Sequence, residues 1–437
     1  MSKGERPTKP SGIAWLGEVP DHWEVKRLRF SAPLSNERRE VEGEVGLPYV
    51  GMEQVESWTG RLLPLDEEFT PTGISNCMRP GQVLFGKLRP YLAKAWVSDR
   101  EGLCSTELMV LDTRDYQAVF LRYLILTDGF IKLVDSSTQG AKMPRADWEF
   151  VGNISLPLPP LPEQRAIAAF LDERTSRIDG LIARKTRLVQ LLKERRQALI
   201  TRAVTRGLDP KVELKPSGVP WLGEVPVGWE VKRLKHISEF VTSGSRGWAE
   251  HYADEGAVFI RIGNLDRLSI DLRLDDIQRV DPPTSAEVMR TRALKDDLLI
   301  SITAFLGTVG IVPGGLGEAY VNQHTALVRL LHERCYPRFV AYWLFSSPAQ
   351  QQFKAASEGG TKEGMNLQEV RDLTILQPDL ETQRRIADHL DEVLQRIDAL
   401  AIKVEAAIER LQEYRSALIA AAVTGKVAVK QGKPEHH

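Results

Sequence analysis

The sequence predicts an α+β chain: two mixed α/β globular units separated by two long helices that form an antiparallel coiled coil, arranged as a pseudo-two-fold internal repeat. Three observations carry this. A 14-residue segment recurs almost unchanged, two proline-free stretches show heptad spacing, and each unit reads as strands followed by a helix. The expected boundaries are a unit over 1–160, a helix over 161–208, a unit over 209–380, a helix over 381–427 and a flexible tail over 428–437.

The repeat comes first, because self-similarity organises every other reading. Trp15-Leu-Gly-Glu-Val-Pro-Asp-His-Trp-Glu-Val-Lys-Arg-Leu28 returns as Trp221-Leu-Gly-Glu-Val-Pro-Val-Gly-Trp-Glu-Val-Lys-Arg-Leu234, an offset of 206 (221 minus 15). A looser set follows at an offset of 219 (383 minus 164): Gln164-Arg165, Leu171-Asp172, Ile178-Asp179 and Ala203-Val-Thr205 match Gln383-Arg384, Leu390-Asp391, Ile397-Asp398 and Ala422-Val-Thr424. The frame is copied while the interiors diverge, as expected of one scaffold carrying two different surfaces.

Each long helix follows a unit. Pro162 suits a first helical turn, and no proline interrupts 163–206. In the second copy Ile397, Leu400, Val404, Leu411, Tyr414 and Leu418 fall at a and d heptad positions, with Ala407 completing the series. The first copy gives Ile178, Leu181, Leu188, Leu192 and Leu199, interrupted by Lys185 and Arg195. A helix of roughly 40 residues is about 60 Å long, too extended for one small unit to cover, so the two stripes are expected to meet each other. Charge agrees: 163–207 holds 11 Lys/Arg and 5 Asp/Glu, whereas 381–427 holds 7 and 8.

Within the units, Leu47-Pro-Tyr-Val-Gly51, Gln82-Val-Leu-Phe85 and Leu108-Met-Val-Leu111 read as strands, matched by 258–262, 297–302 and 325–330. Helices are expected around 120–126 and 338–345. Strands before a helix favour a mixed unit over alternating parallel βαβ.

Composition excludes several classes. No run of about 18 apolar residues is present for a membrane span, and the charged, proline-containing 1–10 lacks a signal-peptide core, so the cytoplasm is the expected location. Cys77, Cys104 and Cys335 are widely spaced and form neither a disulfide framework nor a zinc pattern. P-loop, methyltransferase Asn-Pro-Pro-aromatic, Rossmann, H-E-x-x-H and G-x-S-x-G motifs are absent. Pro20-Asp21 with Glu24-Val-Lys26 resembles a nuclease metal signature. It is rejected, because Asp21 and Glu24 are too close for separate strands and the duplicate carries Val227.

The candidate contacts lie in loops that are at once basic, polar and aromatic. In unit one they are Lys87, Arg89, Tyr91 and Lys94, then Gln139, Lys142 and Arg145. In unit two they are Arg261, Asn264, Thr303, Gln323, His324, Thr361, Lys362 and Asn366, and Gly359–Met365 is set equivalent to Thr138–Met143. These types suit phosphate anchoring, guanine contact by Arg or Lys, and adenine contact by Gln. The formal net charge of −1 opposes a simple nucleic-acid binder and calls for local charge or basic partners.

Taken together, Val-Pro-x-x-Trp-Glu at 19–24 and 225–230, Phe85-Gly-Lys-Leu-Arg-Pro-Tyr91, Gly140-Ala-Lys-Met-Pro144, Pro157-Leu-Pro-Pro-Leu-Pro-Glu-Gln164 and the Ile-Asp and Ala-Val-Thr helix signatures resemble the specificity subunits of type I restriction-modification enzymes. Unit two departs at Gln377-Pro-Asp-Leu-Glu-Thr-Gln383, which replaces the proline-rich approach to the helix. The resemblance implies two target-recognition domains, each reading half of a bipartite asymmetric site in double-stranded DNA, with the helix pair as a ruler. It implies no catalytic site, no metal and no cofactor on this chain. It also implies docking of two adenine-methylating modification subunits that use S-adenosylmethionine, and of restriction/translocase subunits that use ATP and Mg²⁺. The competing expectation is a structural coiled-coil adaptor with two protein-binding domains.

Overall fold

The computed structural model describes residues 7–41, 46–65, 71–138, 140, 142–244, 246–283, 286–358 and 364–429. The chain divides into two compact units, one of Met1–Thr186 with Ala406–His437 and one of Arg187–Glu405. The division passes through both long helices, Leu161–Arg206 and Leu380–Val423, each of which contributes residues to both units.

Unit one holds a three-stranded antiparallel sheet with Val83–Gly86 between Leu108–Leu111 and Ala95–Val97. All four residues of its central strand are buried, which is why the sequence shows a continuous apolar run instead of alternation. A second sheet orders Arg38–Val41, Gly73–Met78, Gly102–Cys104 and Tyr49–Val50, its last pair parallel. Unit two builds Ser238–Ser243, Thr325–Leu330, Leu298–Ser301 and Val309–Ile311 into one sheet, and Tyr252–Ala253, Gln278–Val280, Ala257–Ile260 and Ala319–Val321 into another. The helices expected late in each unit are Ala118–Ile125 and Pro337–Phe345. Each is followed by a second helix that the sequence reading did not anticipate, Asp128–Ser136 and Ser347–Glu358.

The copied frame closes each unit. Glu24–Arg27 pairs antiparallel with Ser155–Leu158, and Glu230–Arg233 with Thr374–Gln377, so the Trp-Glu-Val-Lys-Arg segment is zipped to the strand that leads into the long helix. One fully buried glutamine then fixes each helix start. The Gln164 amide accepts from Gln117 N at 2.7 Å and donates to the Pro159 and Asp115 carbonyls; Gln383 accepts from Tyr336 N at 2.8 Å and donates to Pro378. Asp172 receives the Tyr123 hydroxyl at 2.7 Å, and Asp391 receives that of Tyr342. Burial pushes the Tyr123 phenol up to about 12.

Each helix starts on one unit and ends in the core of the other. Ile167 and Leu171 share the unit-one core with Ile419, Ala422 and Val423, while Ile386 and Leu390 share the unit-two core with Ile200, Ala203 and Val204. Both helices stop at a left-handed glycine, Gly207 (φ 74°) and Gly425 (φ 77°). A Cβ at Gly425 would lie 2.4 Å from Pro20 Cδ, so the close approach also requires glycine.

In unit two the helix segments run antiparallel: Lys193 pairs with Glu405 at 4.0 Å and Arg196 with Asp398 at 3.2 Å. Unit one contains the repeat-related pair, Arg415 with Asp179 at 2.8 Å. Both members follow the 219-residue offset (398 minus 179; 415 minus 196), which explains why Ile-Asp recurs. The expected seam is corrected at one of its two rows. Ile178, Leu192 and Val404 are buried and Leu199, Ile397, Leu411 and Leu418 partly so, but Leu181, Leu188, Leu400 and Tyr414 are exposed. Their places are taken by Ile182, Val189, Ala401 and Arg415, each four residues after the preceding position instead of three. Third and fourth neighbours flank the same helix face, and counting apolar letters passes over a small alanine and an ion-paired arginine. Lys185 lies half-buried on this row, while Arg195 is exposed and Arg196 faces inward instead.

Candidate nucleic-acid interface

The two basic loops of unit one, separate in sequence, form one ladder. Lys87 N donates to Glu107 O, Ala146 N to Lys87 O (each 2.9 Å), and Arg89 N to Pro144 O (2.7 Å), with Leu88 bridged to Arg145. Arg89 takes a left-handed backbone (φ 50°), which starts the turn that leaves Tyr91 exposed. A cleft of about 710 Å³ opens beside the ladder, lined by Lys87, Arg145, Met143, Arg38, Asn76 and Trp148 among others. Arg145 is held by Glu107 through Nε and Nη2, both at 3.1 Å. Lys142 is exposed, and Gln139 lies outside the described residues.

Lys94 points the other way. Its ammonium donates to Met52 O at 2.6 Å, and burial lowers its pKa from the ordinary lysine range. It is a structural hydrogen-bond donor, committed to the fold.

Unit two repeats the ladder. Ile302 N donates to His324 O and Met365 N to Ile302 O, so Ile302 stands for Lys87, His324 for Glu107 and Met365 for Ala146. The equivalence of Met365 with Met143 expected from the letters is therefore corrected: backbone bonding places Gly364 where unit one has Arg145. Thr303 Oγ1, His324 Nδ1, His324 Nε2 and Gln323 Nε2 form a chain with steps of 3.1 and 3.0 Å. Arg261 pairs with Asp276 at 3.2 Å. Two other candidates are absorbed by the fold. Asn264 is buried and tied to Arg261 N, Arg273 O and Asp276 O, and Asn366 caps Leu367–Arg371 by accepting from Glu369 N. Asp147 caps Trp148–Asn153 at the same place in unit one. Thr361 and Lys362 lie outside the described residues.

Sequence reasoning missed Arg38, Asn76, Glu107 and Trp148. Arg38 and Asn76 arrive from a different sheet, and no local signal joins them to the loops; Glu107 is anionic and stands in sequence between the two basic loops. Among the described residues no cluster of His, Cys, Asp and Glu could hold a metal ion, and no helix is long and apolar enough to cross a membrane.

Comparison with known proteins agrees with this architecture. Residues 226–410 match the family model for the type I restriction modification DNA specificity domain. The type I restriction enzyme EcoBI specificity subunit of Escherichia coli is 23% identical over 365 residues, 80% of this chain and 74% of that protein. A chain from a structure on complex assembly and conformational transition of the type I R-M system superposes with a TM-score of 0.74 at 19% identity, covering 94% of this chain and 99% of that one. The HsdS subunit from Thermoanaerobacter tengcongensis gives 0.52 at 20% identity over 94% and 98%. The resemblance read from the sequence is thereby shown: the relatives it finds are named as specificity subunits of type I restriction enzymes.

Proposed function

From this similarity to the specificity subunits of type I restriction-modification enzymes, we propose that the chain is the DNA sequence-specificity subunit of such a complex, reading a bipartite asymmetric site and docking modification and restriction subunits. The observation that carries the proposal is the repeated ladder. One backbone frame presents Lys87, Glu107 and Arg145 in unit one and Ile302, His324 and Gly364 in unit two, beside Thr303 and Gln323. An unchanged frame with altered side chains supports two half-sites of different sequence. On this reading 1–160 and 209–380 are target-recognition domains, 161–208 and 381–427 are the spacers of an antiparallel coiled coil, and 428–437 is a tail.

Chemistry belongs to the partners: two modification subunits methylating adenine with S-adenosylmethionine, and restriction subunits using ATP and Mg²⁺ in the cytoplasm. Methylation by a partner requires the target adenine to be flipped out, a cost offset by contacts made on both sides of it. The net charge of −1 fits shared phosphate contact. Methylation mapping of DNA from cells carrying the chain with its partners tests the proposal. Exchanging 1–160 or 209–380 for the corresponding part of a relative is expected to alter one half of the methylated sequence each time. A map unchanged by both exchanges overturns it, and absence of salt-dependent, sequence-selective binding by the assembled complex favours a protein-binding adaptor.

A further inference from the structure

The cleft of unit one contains an arginine whose side chain is already aimed. Arg145 and Glu107 meet side-on, Nε to Oε2 and Nη2 to Oε1, both at 3.1 Å. A guanidinium carries five N–H donors in a rigid plane. This contact uses the Nε edge and one Nη2 hydrogen. The terminal edge, with one hydrogen on each of Nη1 and Nη2 directed in parallel, has no partner in the fold among the described residues, and the arginine side chain is half exposed while that of the glutamate is 24% exposed.

The pair is rigid at both ends. The Arg145 backbone is bridged to Leu88 and flanked by the Arg89 N to Pro144 O and Ala146 N to Lys87 O bonds. Glu107 is anchored by its carbonyl to Lys87 N and by its own N–H to the Ser105 hydroxyl. Fixing the arginine in advance removes side-chain freedom that would otherwise be lost on binding.

From this geometry we infer that Arg145 reads a guanine in the half-site of unit one, and that Glu107 is the positioning residue that aims it. The inference rests on the DNA-recognition reading above and deepens it. Parallel terminal N–H groups match guanine O6 and N7 in the major groove, whereas adenine offers a donor at the O6 position and is refused. A phosphate contact needs no such side-on support, because it tolerates many orientations. Unit two has Gly364 and His324 at the equivalent places, so its half-site lacks this contact.

The test uses the assembled complex with its modification subunits, selecting bound DNA from a library randomised across the site at two salt concentrations. The native complex is expected to show one guanine in the unit-one half preferred by about 5- to 150-fold, the range that a bidentate pair commands. Arg145→Ala abolishes the preference at that position alone. Glu107→Gln weakens the preference several-fold at the same position and has no further effect in the Arg145→Ala background. Uniform weakening across all sequences, with a salt slope lower by about one, makes Arg145 a phosphate contact and overturns the inference while leaving the recognition reading in place. Preference for cytosine at the affected position, read by the Glu107 carboxylate, also overturns it. A native complex without any sequence preference removes the recognition reading itself.

Discussion

Replacing Arg415 by methionine removes a charge while keeping most of the side-chain volume, and it tests how the repeat-related ion pairs share their burden. In unit one the substitution strands Asp179, whose side chain is 15% exposed, with Arg61 at 2.7 Å as its remaining partner. In unit two, Arg196→Met strands Asp398, which is 49% exposed and can rehydrate. Breaking a buried pair costs about 3–5 kcal/mol and losing an exposed one about 0–1. Partial exposure and the Arg61 contact reduce the first figure, so Arg415→Met is expected to cost about 2 kcal/mol and Arg196→Met under about 1. For a unit of this size that is a fall of about 4–8 °C in Tm against about 0–4 °C. Calorimetry of both variants and of Arg415→Met/Asp179→Leu decides the matter. The double variant should regain most of the loss, since no carboxylate is left unpaired. A larger cost for Arg196→Met, or a double variant no better than the single one, refutes the reasoning.

Gln383→Leu leaves Tyr336 N and the Pro378 carbonyl without their partner in a fully buried place, at a cost of about 2–4 kcal/mol; a Tm unchanged within error counts against the role given to this glutamine. Tyr123 binds its proton more tightly in the folded state, up to about 12 against the ordinary 10, so its contribution to stability is complete below pH 10 and is lost as pH rises towards 12. Tyr123→Phe should therefore flatten the alkaline decline in urea titrations, and an equally steep decline sinks the assignment. Lys87→Ala should weaken DNA binding by the complex evenly across sequences and lower the salt slope by about one, without altering the selected bases.

The parts of the architecture written in the sequence were those with long identical or periodic signals. The copied segments marked the closing strands, and the seven-residue spacing of Ile178, Lys185 and Leu192 or of Ile397, Val404 and Leu411 marked one row of each helix correctly. The neighbouring row slipped, because polarity misleads where Arg415 satisfies its charge on Asp179. Strands such as Gly73–Met78, which mixes glycine, serine and asparagine with isoleucine, cysteine and methionine, are held by pairing to distant partners and carry no periodicity of their own. The same non-locality hid the cleft beside the ladder. Composition identified Lys87 and Arg145, but only the ladder brings them together, and only the bond of Lys94 to Met52 O separates it from them.

The reciprocal burial of the helix ends has a consequence for the order in which the protein comes to maturity on the ribosome. All segments that fill the core of unit two, from Ile200 to Leu394, are made in one uninterrupted stretch. Unit one must wait for Ile419, Ala422 and Val423, which are synthesised 237 residues after Thr186 (423 minus 186). At bacterial or eukaryotic elongation rates that interval is roughly 10–50 s, during which the earlier-made half carries an open apolar seat. The later-made unit thus completes its core first, and the end of the second long helix, made later still, seals the unit begun before it.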